Sequence, residues 1–141
     1  MKKEEKLLEA VCRYLRLKYP YVIYINEASG LRLPIGLAKK MKSMRYSDGL
    51  PDLVILIPSK RFHGLALELK NSKGEYLRKD GKLRGSEHLI RQATILNLLR
   101  RCGYAATFAS KEDVYQIIDD YIRLGKADEG VIPIAKGLRR A

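Results

Sequence analysis

GLPDLVIL at residues 49–56 and HGLALELK at residues 63–70 are the two stretches on which the fold turns. Residues 53–57 are continuously apolar, with Gly49 and Pro51 before them and Pro58 after, which suits a strand buried on both faces. Residues 65–70 alternate instead. Leu65, Leu67 and Leu69 share one face, and Ala66, Glu68 and Lys70 share the other. A turn around Lys60 and Arg61 joins the two runs, so they are expected to pair as a hairpin.

Working outward, Leu8, Val11 and Leu15 recur at helical spacing with Leu7 and Cys12 beside them, which predicts an amphipathic helix over 4–18 that Pro20 ends. Residues 21–25 read as a β-rich strand closed by Ser29-Gly30. Residues 34–44 fit either a short basic helix or an ordered loop. The stretch 71–85 holds three glycines and several charges without a period, which predicts a mobile loop. Ser86 then opens a helix carrying Leu89, Ile90, Ala93, Leu96 and Leu99, with Gly103 placed to stop it. Residues 104–109 are a further strand. Ser110 is expected to cap a last helix with Asp113 three residues on and Val114, Ile117, Ile118, Tyr121 and Ile122 buried. The expected fold class is α/β: a mixed sheet of about four strands flanked by helices, in the order αβββαβ plus a C-terminal helix. Residues 1–125 form the predicted domain, and 126–141 a loosely ordered tail.

The chain has 141 residues, of which 46% are hydrophobic, enough for one core. Lys and Arg number 28 against 16 Asp and Glu, giving a formal charge of +12, the footprint of a polyanion binder. The cations are spread along the chain and are not gathered on one amphipathic helix, so nucleic acid is favoured over a membrane surface. No apolar run is long enough to span a bilayer and the N-terminus is not a signal peptide, so a cytoplasmic protein is expected. Cys12 and Cys102 are too few for a disulfide framework or zinc cluster, and are expected as reduced core residues.

A metal-assisted hydrolase needs carboxylates to hold a hard cation and a cation or base near the attacking water. Asp52 opens the apolar strand, and Glu68 and Lys70 point the same way from its partner, so pairing brings them to one end of the sheet. Taken singly, Pro51-Asp52 is also an ordinary turn and Glu68-x-Lys70 an ordinary solvated face. On the first helix Glu4 falls in the middle of the face made by Leu8, Val11 and Leu15, where a carboxylate is unexpected unless it is used or merely favours the helix N-terminus. His63 and His88 have no second His or Cys at ligand spacing and are not expected to bind metal.

The segments GLPDLVIL, HGLALELK, SEHLIRQATILNLLRRCGYAATFA (86–109) and KEDVYQIIDDYI (111–122) resemble the VRR-NUC family of virus-type replication and repair nucleases, over residues 4–124. The resemblance implies a PD-(D/E)XK nuclease core using Mg²⁺ or Mn²⁺ and no organic cofactor. It carries site roles onto Glu4, Asp52, Glu68, Lys70 and Gln92. Asp52, Glu68 and the backbone carbonyl of Leu69 are the implied metal ligands, with Glu4 in the outer site through water and Glu5 as its alternative on the first helix. It further implies a structure-selective DNA endonuclease, acting on Holliday junctions as a homodimer, in a bacterial or phage-infected cell. A flap or branched-DNA nuclease and a non-catalytic branched-DNA-binding assembly factor are the alternatives. Lys39, Lys40, Lys42 and Arg45 before the Asp52 motif, and Arg78, Lys79, Lys82 and Arg84 in the long loop, are the candidate phosphate contacts, against the alternative of a generic solvated surface. Ser29 and Gly30 are candidates only for shaping a loop near the metal.

Overall fold

A computed structural model describes residues 3–27 and 33–134. Ser29 and Gly30 lie outside the described residues. Four strands form one sheet in the order β1-β2-β3-β4: Tyr24–Asn26, Leu53–Ile55, Leu65–Lys70 and Ala105–Ser110. The expected hairpin is present, since β2 and β3 pair antiparallel with Leu53 opposite Leu67 and Ile55 opposite Leu65. β4 lies parallel to β3, with Lys70 opposite Ser110. A parallel neighbour requires a crossover, and the helix α3 (Glu87–Arg101) supplies it.

The alternation read in residues 65–70 divides the interior in two. Leu65, Leu67 and Leu69 face a core built with Leu7, Val11 and Leu15 of α1 (Lys3–Lys18) and with Val114, Ile118 and Tyr121. Ala66 faces the other way, into a core with Leu89, Ala93 and Leu96 of α3 and with Phe108. The result is a helix–sheet–helix sandwich, and it puts Glu68 on the α3 side, buried rather than on a solvated face.

Several boundaries differ from the sequence reading. β1 starts three residues late because Val22 N–H bonds Tyr19 O, which prolongs the turn after α1. Residues Ile35–Met44 are a helix, α2, with no buried residue, so its two candidate conformations resolve as helix without a core to explain it. Ser110 does not cap the last helix. Its N–H and hydroxyl both donate to Asp113 Oδ1, at 2.7 and 3.2 Å, and α4 (Val114–Asp119) begins only after that turn. Cys12 is buried, but Cys102 is exposed at the end of α3 rather than in a core. There Gly103, at φ 93, stops the helix in the left-handed conformation.

The stretch 71–85 is not without structure. A 3-10 turn (Lys73–Glu75) leads into a tight hairpin in which Leu77 bridges Leu83, and Arg84 N–H bonds Tyr76 O. Tyr76 and Leu83 are buried in the α3-side core, Tyr76 stacked on Phe108 with ring centroids 4.9 Å apart. The charges that suggest a loop occupy the hairpin's outer side, while its two buried residues are too few to show a period. Beyond α4 the chain widens into a π turn (Asp120–Leu124). Residues 126–134 then run back over α3, where the Asn97 side chain exchanges hydrogen bonds with the backbone of Ile132 at 3.1 and 2.9 Å. No helix among the described residues is long and apolar enough to cross a membrane.

α1 and α4 are joined by one carboxylate. Asp119 accepts from the hydroxyls of Tyr14 and Tyr19, each at 2.6 Å, and from Lys18 Nζ at 3.0 Å. Burial alone pushes Asp119 up, but the two hydroxyls and the Lys18 ammonium outweigh it and hold the group below the usual carboxylate range. A depressed carboxylate stabilises above its unfolded pKa and loses that contribution as pH falls through its folded value. Asp119→Ala is therefore expected to lower stability by about 2 kcal/mol near neutrality, with the protons of the two hydroxyls left without this acceptor and Lys18 still bonded to Tyr14. Denaturant unfolding checks this, and the deficit is expected to shrink in strongly acidic buffer.

Candidate active site

The site sits where β2 begins and β3 ends, because antiparallel pairing brings those two ends together. Gly49 turns the chain at φ 83 with α3 packed beside it; a Cβ there would lie 3.2 Å from Arg91 Cγ. Pro51 is buried, and Asp52 follows at the first residue before β2. The ladder between β2 and β3 ends at Leu53 opposite Leu67, so Leu69 has no β2 backbone to bond. Asp52 takes over: its Oδ2 accepts from Leu69 N–H at 2.8 Å. N–H and C=O of one strand residue point to the same side, so the Leu69 carbonyl is directed to the Asp52 side as well.

Glu68 is 4% exposed. Its Oε1 accepts from Gln92 Nε2 at 2.6 Å, and Lys70 Nζ lies 4.0 Å from the same oxygen. Its buried Oε2 makes no hydrogen bond. Asp52 stands within hydrogen-bond reach, but two carboxylates can share that contact only through a proton. Burial, and then the charge of Asp52, push Glu68 well above the ordinary carboxylate value, and Lys70 and the backbone N–H of Asp52 only partly offset them. Asp52 is raised too, chiefly by burial, although the Leu69 N–H, Glu68 and Lys70 pull it down.

Lys70 is held by its surroundings. Its side chain is 12% exposed, and its ammonium lies 6.0 Å from the centroid of Phe108, the ring on which Tyr76 stacks. Glu4 is exposed in the first turn of α1, close enough for its charge to raise Asp52. Thus Asp52, Glu68, Lys70 and Gln92 come together, while Glu4 stands at the margin. Among the described residues no three His, Cys, Asp or Glu side chains gather as a metal cage. The donors nonetheless fit a hard divalent cation. Two adjacent carboxylates, an oxygen that makes no hydrogen bond and a backbone carbonyl on the same side are an all-oxygen set whose mutual repulsion a cation relieves.

His88 has no metal-ligand spacing in the sequence, yet the structure brings it to the site: its Nε2 lies 3.1 Å from Gln92 Nε2. Burial and the charges of Lys70 and Arg91 push its imidazole down. A signal existed, because Gln92 is a polar residue on the Leu89–Leu96 stripe, and the position four residues earlier shares its face.

The candidate phosphate contacts divide. Lys39, Lys40, Lys79 and Lys82 are exposed. Lys42 and Arg45 lie 3.9 and 3.8 Å from Asp48, and Arg45 is largely buried. Arg78 pairs with Asp80 at 3.0 Å, and Arg84 Nε is bonded to Gly74 O. The exposed lysines of this set are therefore on α2 and at the tip of the 76–84 hairpin, whose base adjoins Lys70 through the Tyr76–Phe108 stack.

No family profile and no curated protein matches the sequence. A solved structure described as a VRR_NUC domain protein is similar over 95% of this chain and 98% of its own, with a TM-score of 0.62 and 25% sequence identity.

Proposed function

We propose that this chain, which belongs to the VRR-NUC family, is a divalent-metal-dependent endonuclease that hydrolyses phosphodiester bonds in branched DNA. The observation that carries the reading is the buried Asp52–Glu68 pair beside Lys70, with Glu68 Oε2 making no hydrogen bond. Asp52, Glu68 and the Leu69 carbonyl would hold Mg²⁺ or Mn²⁺, with Glu4 reaching it through water. When bound, the cation supplies charge neutralisation at the phosphate and lowers the pKa of its water. Gln92 fixes one oxygen of Glu68 and leaves the other free. Lys70, seated over Phe108, orients and polarises the attacking water and opposes the charge that develops on the phosphate.

Lys39 and Lys40 on α2, with Lys79 and Lys82 on the hairpin, are the groups to track the DNA backbone, and Lys42, Arg45, Arg78 and Arg84 support them. A homodimer would set two such sites about one two-fold axis, as symmetric cutting of a four-way junction requires.

Junction, flap and linear duplex incubated with Mg²⁺, with Mn²⁺ and with EDTA test the proposal. Paired nicks in the junction, metal-dependent and absent from linear duplex, are the expected result. Cutting of flaps alone makes it a flap nuclease. Tight junction binding with no cutting in either metal makes it an assembly factor and ends the catalytic reading.

A further inference from the structure

We propose that His88 is a positioning residue that fixes the Gln92 side-chain amide and, through it, the Glu68 carboxylate. The inference rests on the metal-site reading above and assigns it an additional residue. A carboxamide nitrogen carries two N–H groups, and both are committed here: one to Glu68 Oε1 at 2.6 Å, the other directed at His88 Nε2, 3.1 Å away. His88 accepts such a bond only as the neutral tautomer protonated at Nδ1. The lowered pKa of its imidazole agrees with that form.

The other end of the amide holds nothing in place. Gln92 Oε1 is buried and has no hydrogen-bond partner. Turning the amide by 180° would therefore lose no bond at Oε1, so the orientation is held at Nε2 alone, by Glu68 Oε1 and by His88 in its Nδ1-protonated form. In the observed one a donor meets Glu68. In the other an oxygen meets it, and the carboxylate has to turn away from the geometry it shares with Asp52. One turn of α3 separates His88 from Gln92, so the helix itself sets the spacing. A hydrogen-bond partner that orients a ligand in this way commonly changes metal affinity by about 10–100-fold when it is removed.

Two substitutions separate this role from others. His88→Leu removes the acceptor, whereas His88→Gln returns an acceptor oxygen at a similar reach. Because His88 is exposed, neither change empties the core. Mn²⁺ titration by calorimetry is expected to show affinity about tenfold weaker for His88→Leu and near that of the original protein for His88→Gln. The side-chain ¹⁵N–¹H₂ resonances of Gln92 in the metal-free protein provide a readout independent of metal. Amide protons shifted from those of a free glutamine and protected from solvent exchange are expected in the original protein and His88→Gln, and a proton with free-glutamine shift and fast solvent exchange in His88→Leu.

Unchanged Gln92 resonances in His88→Leu overturn the inference. So does His88→Gln being as impaired as His88→Leu, which would assign the effect to the imidazole itself. If the original protein binds no Mn²⁺, the metal-site reading fails while the Gln92 resonances still decide the role of His88.

Discussion

Glu68→Gln is expected to abolish strand cleavage and at the same time to make the metal-free protein more stable at neutral pH. The cause is the strain of holding two carboxylates together away from water. Both Asp52 and Glu68 are raised on folding by burial first, Glu68 from an ordinary value of 4.5 with the charge of Asp52 adding to it, and Asp52 with the charge of Glu4 adding to it. A carboxylate raised on folding stabilises below its unfolded pKa, and that contribution is lost as pH rises through the folded value. The metal-free protein therefore loses stability as pH climbs from about 4.5 toward the raised value. The amide introduced by Glu68→Gln reproduces the protonated form at every pH. Its oxygen still accepts from Gln92, and its N–H groups can meet Asp52 at the oxygen position that now makes no hydrogen bond.

A gain on the order of 1–2 kcal/mol at pH 8 is expected, typical where an active site is stabilised at the expense of its function. It should vanish at pH 4. Mn²⁺ should raise the melting temperature of the original protein, by linkage, and leave the variant unmoved. A variant destabilised at pH 8, or still protected by Mn²⁺, contradicts this account.

The part of the fold legible in the sequence is the part where one face must be dry. Alternation in residues 65–70 identifies the strand, its two faces and its partner, and helical spacing identifies α1 and α3 nearly to the residue. What escapes is fixed by contacts of a few residues. The 76–84 hairpin is anchored by two buried residues, Tyr76 and Leu83, with the partly buried Leu77 beside them, too few to form a pattern. Both Ser110 and Asp113 are residue types that cap helices, and only the geometry shows that they bond each other, the Ser110 N–H and hydroxyl donating to the Asp113 carboxylate, while neither side chain caps α4. In the site, Asp52, Glu68 and Lys70 are legible at one end of the sheet because strand pairing alone brings them there. His88 escapes because spacing speaks only to its use as a metal ligand, and argues against it, whereas its place is that of a neighbour to Gln92.

Lys70→Met is expected to reduce cleavage by about 10²–10³-fold while leaving Mn²⁺ binding and DNA binding nearly intact. Methionine is chosen because the lysine stem is mostly buried and its end lies over Phe108, so the replacement keeps the packing and removes only the charge. Three consequences separate chemistry from the other roles of a lysine. Binding to DNA responds to the whole cationic surface, and Lys70 is one of 28 Lys and Arg. Mn²⁺ binding need not fall, because removing a neighbouring cation lessens the repulsion felt by the metal. It also removes a charge that lowers both Glu68 and Asp52, so the pH above which Mn²⁺ binds should move upward. Only the chemical step loses the group that opposes charge on the phosphate. Filter binding in Ca²⁺, Mn²⁺ calorimetry across pH and single-turnover cleavage measure the three separately. Equal losses in DNA binding and cleavage would make Lys70 a phosphate contact, and a loss of Mn²⁺ at all pH values would make it a support of the carboxylate pair; either outcome removes it from the reacting centre.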